Sequence, residues 1–349
     1  MKELEYQIPD GSLYFTKQGE GLEVTHYQGL AGHVEIPERI AGRKEMPGAV
    51  ADAEGPDTCA DAEAPVKSIG KKAFLSKKYL RSVTIPESVT EVGDWAFAYC
   101  DALREVTFEG RGVTFGKSVF LECPNLRCVR FPGILTAKAP SGKASGLDMA
   151  TLPCGGAGDL ASMGRTYCDG IGALTAAAVT QMESPYLLNA AEAGSKEWLA
   201  KWDARMLAIL GAADDEGYSK QILCGEEDYE SADLETYLTN SRKKKVRLLL
   251  LRLLAPMELE PAREEELRRY LLAHTKGCKT DETWQVVRDE CGDRREFYEL
   301  FARIGCLTKE NAPAIIAETK EEHPEMKAFF LKFQADHFQD HDFFSDLEL

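Results

Sequence analysis

Two histidines four residues apart, His337 and His341, have the spacing of a metal site. Residues four apart share one face of a helix, so both imidazoles and a neighbouring carboxylate such as Asp340 could bind Zn²⁺. The pair lies between phenylalanines near the end of the sequence, and a solvated tail docked through these aromatic rings explains the same composition. We therefore predict no metal ion here and no cofactor elsewhere.

Two glycine-rich segments have the composition of phosphate-binding loops without their spacing. Gly142-Lys143-Ala144-Ser145 has Ala137 where a phosphate loop requires glycine, and no hydroxyl residue follows the lysine. Residues 155–158 lack both the G-x-G-x-x-G spacing and a preceding strand. A flexible linker explains both segments better.

Side chains arranged for catalysis are not apparent either. The paired carboxylates Asp214/Asp215 and Glu226/Glu227 are adjacent, so they point in different directions on a helix and cannot flank one substrate. None of the six histidines forms a Ser/His/Asp or Cys/His pattern with a nucleophile at a strand end. The sequence predicts that the protein is not an enzyme.

The one strong basic run, residues 242–245, favours a structural role over nucleic-acid binding. The net charge of −16 repels a phosphate backbone, and aromatic residues do not alternate with the basic ones. We predict a helix whose first turns are solvated and pair with the acidic residues 225–230. Five of its apolar residues should enter the core: Val246, Leu249, Leu250, Leu253 and Leu254.

The sequence favours the cytoplasm as the location. Its first residues are charged and lack the apolar core of a secretory signal, and no stretch approaches the ~20 apolar residues of a spanning helix. Ten cysteines are scattered without a Cys-x-x-Cys pair, which indicates reduced thiols rather than a disulfide framework. We therefore predict no membrane partner.

The sequence contains a repeat of 23 residues, and we expect this repeat to form the surface that positions a binding partner. Its three copies begin at Ile69, Val92 and Phe115, and seven columns stay apolar or glycine throughout. A period in this range with an L-x-x-L-x-L pattern is typical of leucine-rich-repeat solenoids. We expect a short parallel strand in each copy, an internal column of Phe74, Phe97 and Phe120, and glycine in a tight turn.

The remainder of the chain divides by composition. Residues 1–42 resemble an incomplete first coil, with strands at Leu22–Tyr27 and at Val34–Pro37, and an acid-rich insertion at about 43–65 should leave the stack as a mobile loop. A linker at 134–160 precedes an α-helical domain, 161–349. Helices are predicted at 195–211, capped by Ser195, and at 232–255, 261–275, 282–290, 294–304, 310–320 and 323–338.

The repeats resemble the BspA-type leucine-rich repeats of bacteria, whose hallmark is Ile-Gly-x-x-Ala-Phe followed by Leu-x-x-Val-x-Ile-Pro. Here the hallmark stands as Ile69-Gly70, Ala73-Phe74 and Leu80-x-x-Val83-x-Ile85-Pro86, and it recurs twice. The second half is similar to the helical region that follows such repeats in proteins of gut-dwelling Firmicutes, in residues 305–311 and 325–331. Members of the family with signal peptides act as surface proteins and adhesins, so the resemblance implies recognition.

These observations predict an α+β protein, in which a short leucine-rich-repeat β-solenoid precedes an ankyrin- or HEAT-like helical array. The expected function is a non-enzymatic protein–protein interaction module or scaffold with an unknown protein partner. The alternative is a surface-associated host- or matrix-binding protein exported without a classical signal. The candidate binding residues are the solvent-facing strand positions and an arginine column: Arg81, Ser82, Thr84, Arg104, Glu105, Thr107, Arg127, Cys128 and Arg130.

Overall fold

The computed structural model describes residues 3–40, 64–131, 160–219, 233–292, 294–319 and 321–338. The chain divides into two compact units, Met1–Asp203 and Ala204–Leu349. The first unit therefore extends beyond the predicted repeat domain of residues 1–133. Several predicted features lie outside the described residues: most of the insertion at 43–65 and of the linker at 134–160, both glycine-rich segments, the acidic residues 225–230, and His341.

Two sheets form the repeat region of the first unit. The described strands are β1 Leu4–Ile8, β2 Gly11–Gln18, β3 Gly21–Gly29, β4 His33–Glu35, β5 Arg39–Ile40, β6 Ala64–Ile69, β7 Ser82–Ile85, β8 Glu91–Val92, β9 Glu105–Phe108, β10 Thr114–Phe115 and β11 Cys128–Arg130. One sheet has the order β1-β2-β3-β6-β8-β10 with β5 beside β6, and the other has the order β4-β7-β9-β11.

Each repeat contributes one parallel strand to each sheet, and equivalent residues pair directly. In the four-stranded sheet Ser82 pairs with Glu105, and Glu105 pairs with Cys128. In the other sheet Glu91 pairs with Ser68 on one side and with Thr114 on the other. Because paired residues are one sequence period apart, every apolar column of the sequence becomes a continuous column in the structure.

The core between the two sheets is built from these columns. The valines of β7, β9 and β11 are buried, and four aromatic rings stack inside the first unit. Ring centroids lie 5.6 Å apart for Tyr27 and Phe74, 4.9 Å for Phe74 and Phe97, and 5.6 Å for Phe97 and Phe120. The predicted aromatic column is confirmed, and Tyr27 extends it by one ring that the sequence pattern did not reveal.

Glycine in the repeats has a different role from the predicted one. Positive φ angles occur at Lys72, Trp95 and Ser118, two residues after each repeat glycine, and not at the glycines themselves. A Cβ atom on Gly93 would lie 2.7 Å from the Lys71 nitrogen, and one on Gly116 would lie 2.6 Å from the Asp94 nitrogen. The glycines are therefore required because the backbones of adjacent repeats approach closely.

The sequence predicted that the N-terminal segment is an incomplete coil, but the structure shows a more complex arrangement. Strands β1, β2 and β3 form an antiparallel meander, and only β3 joins the repeats by pairing in parallel with β6. The turn sequences Pro9-Asp10-Gly11 and Gly19-Glu20-Gly21, which separate these strands, could have indicated the meander from the sequence. The predicted equivalence of Val34-Glu35-Ile36 to a repeat strand is confirmed, since Val34 pairs with Val83 across the insertion.

Buried thiols link successive repeats. The Cys100 thiol donates to the carbonyl of Phe74 at 3.1 Å, and the Cys123 thiol donates to that of Phe97 at 3.0 Å. Burial raises the pKa of Cys100 to about 11 and that of Cys123 to about 12. Both cysteines are free, so they act as small buried residues in the repeats rather than as reactive nucleophiles.

Eight α-helices are described after the repeats. They are α1 Leu160–Thr180, α2 Lys196–Gly211, α3 Leu234–Leu254, α4 Pro261–Ala273, α5 Glu282–Glu290, α6 Arg295–Arg303, α7 Ala312–Glu318 and α8 Pro324–Phe338. From α2 onward their ends agree with the predicted helices within two residues. Ser195 caps α2 as predicted, since its hydroxyl accepts a hydrogen bond from the Trp198 amide at 3.1 Å.

Helix α3 is more deeply buried than its sequence predicts. Four of the five predicted core residues are buried (Val246, Leu249, Leu250 and Leu253), while Leu254 is half-buried. The helix packs against α4, α5 and α6. Contacts on several sides explain why residues outside the predicted apolar face are buried as well.

The predicted solvation of the first turns of α3 is confirmed for residues 234–236, but the basic run is half-buried at residues 242–244 and buried at Lys245. Lys245 is 5% exposed, and its ammonium donates to Asp214 Oδ1 at 2.7 Å and to the Ala212 carbonyl at 2.6 Å. Arg242 Nε donates to Asp214 Oδ2 at 2.8 Å. Arg252 is fully buried and donates to the carbonyls of Ala255 and Met257. Cations can enter this core because acceptors from neighbouring segments meet each of them.

Candidate binding face

The predicted binding residues share one face of the four-stranded sheet. The side chains of Ser82, Thr84, Glu105 and Thr107 are half-buried on β7 and β9, whereas Arg81, Arg104 and Arg127 are exposed directly before β7, β9 and β11. A shallow depression of about 450 Å³ opens on this face. It is lined by His33, Arg81, Ser82, Val83, Thr84, Arg104, Glu105 and Thr107. We call this set the binding face.

The arginines of the binding face are held side by side by the backbone. The Arg104 amide donates to the Arg81 carbonyl at 2.8 Å, which places the two residues on adjacent strands about 4.8 Å apart. Within the described ranges, neither guanidinium has a hydrogen-bond or ion-pair partner. Two unpaired positive charges therefore lie together at the rim of the depression.

His33 belongs to the binding face although the sequence pattern did not indicate it. Its Nδ1 lies 2.6 Å from the Ser82 hydroxyl, and its strand β4 is the edge of the four-stranded sheet. The two residues are 49 positions apart in sequence. The insertion hides this proximity, although the match between Val34-Glu35-Ile36 and Val83-Thr84-Ile85 was a usable signal for it.

The other end of the predicted surface is covered within the first unit. Helix α1 packs on β11, where a Cβ atom on Gly172 would lie 2.4 Å from Cys128 Sγ. Arg130 forms an ion pair with Glu105 and donates from Nε to Asp169 Oδ1 of α1 at 2.7 Å. Cys128 and Arg130 thus hold α1 against the repeats, which separates them from the open depression.

Gly172→Ala should reveal how close this packing is. Alanine normally stabilises a helix interior by roughly 0.5–1 kcal/mol relative to glycine. Here the added methyl group would overlap Cys128 Sγ, so we expect a loss of about 1–3 kcal/mol in the free energy of unfolding. The measurement is urea denaturation, together with the rate of Cys128 alkylation, which should rise.

The matched control is Gly172→Ala in a Cys128→Ala background. Removing the sulfur removes the overlap, so the same substitution should then be neutral or stabilising. A stabilising effect of Gly172→Ala in both backgrounds would contradict the close contact.

The chemistry available to the binding face is hydrogen bonding and charge pairing. Its hydroxyls, imidazole and guanidiniums can donate to oxygen atoms of a partner, and the Cys128 thiol lies against α1. In the part of the chain that the structure describes, no cluster of three or more His, Cys, Asp or Glu residues could hold a metal ion. Among those same residues, each helix is too short or too polar to cross a lipid bilayer.

Comparison with known proteins identifies the repeats. Residues 60–139 match the family model of the BspA type leucine rich repeat region in 6 copies. The predicted resemblance is confirmed for this part of the chain. No curated protein matches the chain.

Several solved bacterial structures are similar to about a third of the chain. A leucine rich cell surface protein from Faecalibacterium prausnitzii is 26% identical over 36% of this chain and 30% of that one, with a TM-score of 0.27. A leucine-rich repeat protein from Bacteroides ovatus is 24% identical over 36% and 29%, also with a TM-score of 0.27. One from Bacteroides capillosus is 21% identical over 37% and 99%, with a TM-score of 0.25. The chain thus spans less than a third of the first two proteins.

Proposed function

We propose that the protein is a non-enzymatic protein-interaction module, because residues 60–139 match the BspA-type leucine-rich repeat family. The repeats would stack as a short solenoid of 23-residue coils, and the binding face would hold an acidic segment of a partner protein. The observation that carries the proposal is the pair of guanidiniums, Arg81 and Arg104, which line an open depression and have no partner among the residues that the structure describes.

The charge of the binding face supports an acidic partner. Glu105, the carboxylate that lines the depression, is paired with Arg130. Guanidinium groups bind carboxylates through two parallel hydrogen bonds, which favours Asp and Glu side chains as the contact groups of the partner.

The shape of the binding face supports an extended segment of a partner. The depression crosses three neighbouring strands, β4, β7 and β9, so a peptide could lie across them. Ser82, Thr84 and Thr107 provide hydroxyls along its floor. A peptide could hydrogen-bond to these hydroxyls while its carboxylates pair with the two arginines.

A cytoplasmic location agrees with the free thiols of the first unit, and it is part of the same proposal. Free thiols persist in reducing compartments, whereas small extracellular domains tend to be cross-linked. Fractionation of the source organism checks this point. Recovery of the protein in the surface fraction would favour the alternative of an exported, surface-associated protein.

Charge reversal tests the proposed partner chemistry. The full chain with Arg81→Glu and Arg104→Glu should fail to capture proteins that the unaltered chain retains from the lysate of the source organism. The control, Lys78→Glu with Lys117→Glu, makes the same change in net charge at exposed positions elsewhere in the repeat region. It should retain them.

Two further measurements, of the melting temperature and of the salt dependence, complete this experiment. The melting temperature of both variants should equal that of the unaltered chain, since all four cations are exposed. Capture should weaken as salt is raised, because exposed charge pairs are screened. Identical captured sets for the two variants would refute the proposed face.

A further inference from the structure

The second unit contains a groove that the proposed function does not use. It lies between the C-terminal end of α2 and the outer face of α4 and has a volume of about 520 Å³. From its lining we propose that the groove binds a small aromatic carboxylate, that is, an anion with a flat apolar body. The volume is within the range of small-molecule sites, about 300–1,000 Å³.

The floor of the groove is apolar. Leu207 and Leu210 contribute from α2, and Ala273 contributes from α4. All three side chains are half-buried, so part of their surface still faces water. Covering this surface with an apolar body would remove it from water, which favours binding.

One wall of the groove is a pair of stacked rings. The centroids of Tyr270 and His274 are 4.3 Å apart with an interplanar angle of 34°. His274 Nδ1 lies 2.8 Å from the Thr280 hydroxyl, which fixes the orientation of the imidazole. Burial lowers the pKa of His274 from its ordinary value, although Glu282, whose Oε2 lies 3.7 Å from Nδ1, opposes this shift. The pair offers a rigid aromatic surface.

The rim of the groove is positively charged. Arg263 and Glu266 form an ion pair with each other and cancel. Arg269 and Lys279 also line the groove, and neither has a hydrogen-bond or ion-pair partner in the described part of the chain. These two cations above an apolar floor create a local positive potential, which favours an anionic ligand.

Binding of 2-naphthoate to the full chain, measured by isothermal titration calorimetry, tests this proposal. We expect saturable binding at one site. The uncharged analogue 2-naphthamide should bind about tenfold more weakly, because it cannot form charge pairs with Arg269 and Lys279. Octanoate keeps the charge but lacks the ring, and it should also bind more weakly than 2-naphthoate.

Two variants locate the binding. Arg269→Glu with Lys279→Glu should weaken binding of 2-naphthoate at least about tenfold. The control, Arg303→Glu with Lys332→Glu, reverses one arginine and one lysine at exposed positions elsewhere in the second unit and should leave the affinity unchanged. Leu210→Gln should weaken binding without lowering the melting temperature. Absence of saturable binding, or equal losses in the two charge-reversal variants, would overturn the proposal.

Discussion

Replacing Phe97 with alanine is expected to lower the free energy of unfolding of the repeat region by about 4 kcal/mol. Phe97 is fully buried and stacks between Phe74 and Phe120. The substitution removes a buried ring and leaves a cavity between two repeats, which cannot collapse because backbone hydrogen bonds fix their spacing. Urea denaturation measures the loss, and hydrogen exchange should localise it to residues 64–131.

The matched control for this prediction is Tyr79→Ala, which removes an aromatic ring from the same repeats. Tyr79 is 64% exposed, so its loss should cost less than about 1 kcal/mol. Equal losses for the two variants would mean that the aromatic column does not stabilise the stack. If Phe97→Ala reduced protection from hydrogen exchange only in the second unit, the packing of Phe97 within the repeats would be contradicted.

Asp214→Leu is expected to lower the stability of the second unit by about 3 kcal/mol. Asp214 is the common partner of Lys245 and Arg242, and Lys245 is nearly inaccessible to water. Without the carboxylate, a buried ammonium loses its counter-charge. The loss is measured by urea denaturation at pH 7.

The double variant Asp214→Leu with Lys245→Met separates charge from packing. Removing both partners leaves no unpaired buried charge between them, so most of the stability lost in the single variant should return. If the double variant is no more stable than Asp214→Leu alone, the ion pair is not the cause of the loss.

The same contact predicts a pH dependence. Burial raises the pKa of Asp214, but hydrogen bonds and positive charge from Lys245 and Arg242 outweigh burial and hold the pKa below the ordinary value of 3.8. Because the pKa is lower in the folded state, the ionised carboxylate stabilises the fold at pH values above its ordinary pKa. This stabilisation is lost as the pH falls through the pKa of the folded state. The difference between the unaltered chain and Asp214→Leu should therefore be constant from pH 7 to about 5 and shrink below 3.8.

The repeats could be predicted closely because each repeat imposes the same local rules. Equivalent residues of successive repeats pair directly. The apolar pattern of one repeat therefore shows which residues point into the core in all of them, such as Val83, Val106 and Val129. Helix ends could be predicted for a similar local reason. Ser195 caps α2, and Pro256 follows the end of α3.

Contacts between distant segments could not be predicted in the same way. His33 reaches Ser82 across the insertion, Asp169 reaches Arg130 from α1, and Asp214 reaches Lys245 from the segment after α2. None of these pairs has a fixed spacing in sequence. The basic run of α3 was predicted to be solvated for this reason. Its composition favours a solvated face, and the sequence does not show which buried groups its cations contact.

The candidate binding face could therefore be predicted only in part. The columns identified strand residues that share one face of the sheet, since alternate strand residues must point outward. They did not reveal that α1 covers its Cys128 end, where Gly172 allows close contact. They also gave no indication of the groove on α4, which is formed by two segments without a repeat.

Photo-crosslinking from position 107 is the most direct test of the central claim, that a partner binds on the binding face. A benzophenone amino acid at Thr107 lies in the depression, whereas one at the exposed Thr90 lies on the other sheet. We predict crosslinks to an acidic segment of one partner from position 107 alone, lost when Arg81 and Arg104 are replaced by glutamate. Crosslinks to that partner from position 90 and not from position 107 would contradict the account.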